Sequence, residues 1–137
     1  MQFTPTIAVH MTAALTAIVL GPMTMWMRRR TTQHPKLHRA LGYAWVTCMV
    51  TAAISAIFIR DFTLPNIHGY TPIHLLIPLT LFSLYQAFRF LAQGNIPGHR
   101  KSMQWLYVNS CIVAGGFTLL PGRYLGHLLW SELLGWV

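Results

Sequence analysis

Four runs of 18 to 21 residues, at 7–27, 40–59, 73–91 and 103–120, hold one formal charge between them, Arg89 near the end of the third. At 1.5 Å per residue, helices of that length are roughly 27–32 Å long, which is the thickness of a bilayer's hydrocarbon. The expectation is an all-α, integral membrane, up-down four-helix bundle formed as a single transmembrane domain over 1–137. Composition agrees, because charged residues make up 9% of the chain against about 25% in a soluble domain.

The net charge of +8 would suit nucleic acid, but its placement argues against that partner. Arg28, Arg29, Arg30, Lys36 and Arg39 lie between the first two runs, and Arg89, Arg100 and Lys101 lie around the link from the third to the fourth. Only Arg60 and Arg123 fall on the other side. This is the positive-inside pattern. It predicts a multi-pass membrane protein with its basic loops in the cytoplasm, both termini on the outer side, and the lipid bilayer as its first partner. The opening MQFTPT carries no basic residue ahead of its apolar run, so that run is expected to remain as the first helix rather than to act as a signal peptide.

The chain also reads as one helical hairpin written twice. His38-Arg39 precedes an apolar run that closes on Arg60, and His99-Arg100 precedes one that closes on Arg123, with separations of 22 and 24 residues from histidine to arginine. His10 and His74 sit just inside the preceding run of each copy. Beyond these anchors the two halves share little identity, so the pseudo-twofold repeat rests on spacing.

Local signals place the breaks. Gly21-Pro22 lies within the first run, where a bend is expected and a neighbouring helix or water must satisfy the carbonyl that proline leaves unpaired. Ala52, Ala53, Ser55 and Ala56 suit close helix packing. The segment 61–72 reads as the outer loop and Gly94-Asn95-Ile96-Pro97-Gly98 as a tight inner turn. After Pro121-Gly122, residues 124–137 are too short to cross and read as a C-terminal interfacial helix, with Tyr124, Trp130 and Trp136 as anchors. Cys48 and Cys111 lie mid-span and read as small apolar side chains. With no CxxC or CxxCH, a thioredoxin-like site and covalent haem are excluded.

The histidines carry the functional reading, since ionisable groups at membrane depth are costly and usually have a task. Topology sorts His10, His68, His74 and His127 to the outer side and His34, His38 and His99 to the inner side. In an up-down bundle the first and third helices are diagonal partners, as are the second and fourth. With neighbouring axes 8–10 Å apart the diagonal is about 11–14 Å, room for a flat group held between two imidazoles. That is the geometry of non-covalent haem b with bis-histidine ligation, by His10 with His74 and by His38 with His99. Arg39, Arg60, Arg100 and Arg123 suit its propionates as charge-assisted partners. Tyr43, Trp45, Trp105 and Tyr107 are candidate quinone or haem-edge contacts. Each residue also has a plainer reading, the histidines as satisfied interfacial groups and the arginines and aromatics as end anchors.

The segments HRALGYAW, PIHLLIPLTL, GNIPGHRKSMQW and AGGFTLLPGRYLGHLLW, with His10, resemble an uncharacterised family of bacterial integral membrane proteins known only as a domain of unknown function. The resemblance implies that His10, His38, Arg39, His74, His99, Arg100, Arg123 and His127 form a set, and it brings no activity with it. In layout alone the chain is similar to small four-helix di-haem cytochromes b, which suggests an oxidoreductase of the electron-transfer kind, with a quinol as one donor. Two other readings stay open. His10, His74 and His127, with His68 nearby, would make an outer-face zinc or copper site if they gathered. Alternatively the chain is a small structural subunit of a respiratory or photosynthetic complex, and Gly115-Gly116 would suit close helix contact either within the chain or with a second copy in a homodimer.

Overall fold

The computed structural model describes residues 4–26, 35–60, 67–70, 72–119 and 124–135. Among these no strand occurs, and the one bridge joins Ile67 to Tyr70. Helix α1 spans Pro5–Trp26 and α2 spans Pro35–Phe58. A 3₁₀ turn, Pro72–Leu75, leads into α3, Leu76–Ala92. The next helix is α4, Ile96–Leu106, which passes into π-helical turns over Tyr107–Val113 and then α5, Ala114–Thr118. Last come α6, Tyr124–His127, and a second π-helical stretch, Leu128–Leu133.

The starts and stops follow from local chemistry. Pro5 opens α1 where its missing N–H costs nothing, and Thr4 Oγ1 accepts from Ile7 N at 3.3 Å. Helix α3 ends where Gly94 takes a positive φ of 72°, with Asn95 N donating to Phe90 O and Gly94 N to Leu91 O, the paired bonds of a Schellman cap. Asn95 then caps α4, its side chain accepting from Gly98 N at 3.0 Å. One turn thus closes one helix and starts the next.

Three helices, the segments Pro5–Trp26, Pro35–Phe58 and Pro72–Ala92, are long and apolar enough to cross a membrane. The expected fourth span at 103–120 is corrected in two ways. Its helix begins earlier, at Ile96, and it is built of α4, the π-helical turns and α5 in succession rather than as one uniform helix. The second helix likewise starts five residues before the expected position 40, so His38 and Arg39 lie within α2 rather than at its foot. Proline at the first helical position explains that start.

Helix α1 packs on α2, α2 on α3, α3 on α4, and α1 also on the π-helical turns. The core is small: Ala17, Trp45, Met49, Leu84, Leu106 and Cys111 form its buried cluster. Large apolar side chains such as Val19, Phe58, Phe82 and Val108 face outward on every side. A water-soluble fold would bury these, whereas lipid solvates them. Several hydroxyls within the spans are satisfied locally. Thr12, Thr16, Thr24, Thr47 and Ser55 each donate to the carbonyl four residues back in their own helix.

Candidate functional site

Proline at 22 cannot donate to Ile18 O, and two aromatic side chains answer for that weakness in α1. Tyr107 Oη donates to Ile18 O at 3.0 Å, and Trp45 Nε1 donates to the adjacent Ala17 O at 3.0 Å. Gly21 lies against both, such that a Cβ there would overlap the Tyr107 ring. Trp45 and Tyr107 therefore lock α2 and the fourth helix onto α1. Tyr43 and Trp105, sequence neighbours with the same candidate role, face outward at 62% and 60% exposure.

Beside the buried cluster is a cavity of about 200 Å³ that touches every long helix and is bounded by Leu125 of α6. Its wall carries His10, His74, Thr80, Ser110 and Cys111 among small side chains that include Ala14, Ala52, Ala53, Ala56, Ala114 and Gly115. His10 and His74, from α1 and the 3₁₀ turn, thus face one space. Thr80 Oγ1 and Ser110 Oγ pair at 2.7 Å across it, and Cys111 Sγ approaches Met49 Sδ at 3.7 Å.

Each half-buried histidine is held by a main-chain carbonyl. His10 Nδ1 donates to Ala52 O at 2.8 Å and lies 3.2 Å from Ser55 Oγ. His38 Nδ1 donates to Thr24 O at 2.8 Å, and His99 Nδ1 to Ala87 O at 2.8 Å. His74 Nε2 donates to Ile59 O at 2.9 Å. A carbonyl has only lone pairs to offer, so each bond fixes where the ring proton sits. The two His-Arg motifs act alike, each histidine reaching back to the preceding helix of its own hairpin.

A third aromatic, not foreseen from the sequence, completes the rim beside His74. Tyr70 meets His74 edge-on with ring centroids 5.2 Å apart, and the Arg60 guanidinium lies 5.2 Å over the Tyr70 ring. His68, at φ 54°, and Gly69, at φ 86°, form the tight turn that brings Tyr70 there. Nothing but a tyrosine in a loop rich in breakers marked this role.

Other expected residues fall apart. His127 closes α6 and is exposed, His68 is exposed, and neither lines the cavity. Among the described residues no three of His, Cys, Asp or Glu gather as a metal-binding group, so the outer-face histidine cluster for zinc or copper is not assembled. The cause is the tail, whose short helix presents Leu125 rather than His127 to the cavity. Arg39 and Arg100 are exposed beside their histidines. Arg123, with His34, Arg28, Arg29, Arg30, Asp61 and Trp136, lies outside the described residues.

Long apolar helices with outward-facing hydrophobic side chains and a small interior define an integral membrane protein. The chain belongs to the family described as Predicted membrane protein (DUF2306), whose model matches residues 7–115. That match takes in His10, His38, His74 and His99 and stops before Arg123 and His127. No curated protein and no solved structure matches the chain.

Proposed function

We propose that the chain is a membrane-embedded b-type haem protein, an up-down four-helix bundle of one domain that carries electrons across or within the bacterial inner membrane, with its basic turns inside and both termini outside. His10 and His74 would hold one haem, and His38 and His99 a second. The observation that carries this reading is the state shared by three of the four imidazoles. In His10, His38 and His99 a carbonyl takes the Nδ1 proton, so Nε2 keeps its lone pair, and none of these three rings makes a second contact through Nε2 among the described residues. A ring anchored by one nitrogen and basic at the other is how proteins prepare histidine for a metal. In His74 the nitrogens exchange roles, with Nε2 as donor.

Haem b supplies a one-electron couple when bound. The remaining work falls to the chain. Small side chains on the cavity wall let a flat group approach the helix backbones, and Arg60, set by Tyr70, offers a cation for a carboxylate at the outer rim. Arg39 and Arg100, exposed beside His38 and His99, would offer cations to the other group. At about 200 Å³ the cavity is below the roughly 300–1,000 Å³ of clefts that hold drug-sized ligands. At that size a macrocycle would enter only if α1 and α3, which are not packed extensively on one another, separated. The equivalent bonds of His38 and His99 support the twofold repeat as part of the same reading.

The test is the optical spectrum of the purified full chain, oxidised and dithionite-reduced. Sharp reduced bands that weaken in His10→Ala and His74→Ala, with helical circular dichroism kept, are expected. A preparation that stays colourless after haem is supplied, or a loss of colour on replacing His34 rather than these residues, defeats the assignment.

A further inference from the structure

A second cavity, of about 310 Å³, lies in the groove between α3 and α4 at the basic end of the spans. It is lined by Ser83 and Gln86 of α3, Lys101 and Ser102 of α4, and two aromatic side chains, Phe90 and Trp105. Gln86, Lys101 and Trp105 are exposed, so the groove opens to the surroundings of the bundle and not to its interior. Gln86 is six residues from the end of α3 at Ala92, roughly 9 Å along the axis from the basic end of the span.

These polar groups differ from most of the hydroxyls in the spans. The hydroxyls of Thr12, Thr16, Thr24, Thr47 and Ser55 are tied to their own helices, and Thr80 is paired with Ser110. Ser83, Gln86 and Ser102 make no side-chain hydrogen bond among the described residues. A hydroxyl pair and an amide left unpaired against hydrocarbon are costly, and an ammonium among them more so.

We infer that this groove seats the phosphodiester headgroup of an anionic phospholipid. Lys101 supplies the charge, Ser83, Gln86 and Ser102 supply hydrogen bonds to phosphate and glycerol oxygens, and Phe90 and Trp105 flank the start of the acyl chains. Arg89 and Arg100, both exposed, add to the positive field at the same end. A second copy of this chain is a poorer occupant. It brings ten basic residues against two acidic ones, Asp61 and Glu132, and both of those follow the opposite ends of the spans.

The test is thermal unfolding of the full chain in a neutral detergent, titrated with phosphatidylglycerol, phosphatidylcholine or inorganic phosphate. Phosphatidylglycerol should raise the midpoint saturably and the other two should not. Lys101→Gln should weaken its apparent affinity roughly fivefold, which corresponds to about 1 kcal/mol for one basic residue at an anionic surface. Gln86→Leu should weaken it as well, and Lys36→Gln, on the other hairpin, should leave it unchanged. Circular dichroism checks that each variant keeps its helices, and Ser102→Ala replaces any that does not. Equal stabilisation by phosphatidylcholine or by free phosphate overturns the assignment. So does efficient self-cross-linking of Ser83→Cys in membranes, which would put a second chain in the groove.

Discussion

The hydroxyl of Tyr107 donates to the carbonyl oxygen of Ile18 at 3.0 Å, the acceptor that Pro22 leaves without its helical N–H. In hydrocarbon no water competes for that carbonyl, so one side chain from the fourth helix completes the hydrogen bonding of the first. The proline and the tyrosine are thus a matched pair across the bundle. Their coupling is testable by a double-mutant cycle.

Tyr107→Phe should destabilise the folded chain by about 1 kcal/mol, the scale of an interhelical hydrogen bond in membranes. In a Pro22→Ala background the same change should cost less, because the new N–H at position 22 serves Ile18 O itself. Thermal unfolding of the four proteins in detergent gives the coupling. Strict additivity would mean that the hydroxyl contributes nothing through this carbonyl.

Gly21 is the second half of that contact, and it contrasts with Gly116. A Cβ at Gly21 would overlap the Tyr107 ring and come within 3.3 Å of Trp45 Nε1, whereas a Cβ at Gly116 meets nothing within 4 Å. Gly21→Ala should therefore cost about 1–3 kcal/mol through overpacking. Gly116→Ala should be neutral or slightly stabilising, as expected for alanine in a helix. Equal unfolding midpoints for the two variants would contradict the packing described for Tyr107.

Much of this was legible from residue order, and the reasons for the rest are physical. Apolar length alone locates α1, α2 and α3 to within a few residues, because only a helix satisfies its backbone in lipid. Histidine depth follows from the same runs, and it brings His10 and His74 to one cavity. The need for a partner at Pro22 was also readable, but not its identity, since Tyr107 lies 89 residues from Ile18. The acceptors of His38 and His99 are carbonyls of Thr24 and Ala87, and a carbonyl leaves no trace in residue type. The π-helical turns over Tyr107–Val113 use residue types that the α-helices of this chain use as well, so no pattern announces them. His127 was misplaced because the orientation of a short tail depends on packing, and Tyr70 was missed because its contact with Arg60 and His74 depends on one left-handed turn.

The two His-Arg motifs should behave as equivalents. His38→Ala and His99→Ala each remove one bond of 2.8 Å to the preceding helix, and each should lower stability by about 0.6–1.7 kcal/mol. If the inner layer holds haem, both variants should also lose the same component of the reduced spectrum, and His10→Ala should lose the other. Distinct spectral losses from His38→Ala and His99→Ala would separate residues that the proposal pairs.

Filling the central cavity distinguishes an occupied site from an empty one by the sign of the effect. Ala114 contributes to the wall of the 200 Å³ space shared by His10 and His74 and makes none of the histidine hydrogen bonds. In an unliganded bundle, Ala114→Leu adds dispersion contacts where none exist and should raise the unfolding midpoint, since voids of this kind cost about 24 cal/mol per Å³ in protein cores. In a bundle that carries a cofactor there, the same leucine competes with it, so the protein should lose absorbance and melt earlier. The measurement is the midpoint and the spectrum of the variant on one sample, beside the unaltered chain. A leucine that stabilises the purified protein and leaves its spectrum unchanged would show that nothing flat sits between His10 and His74.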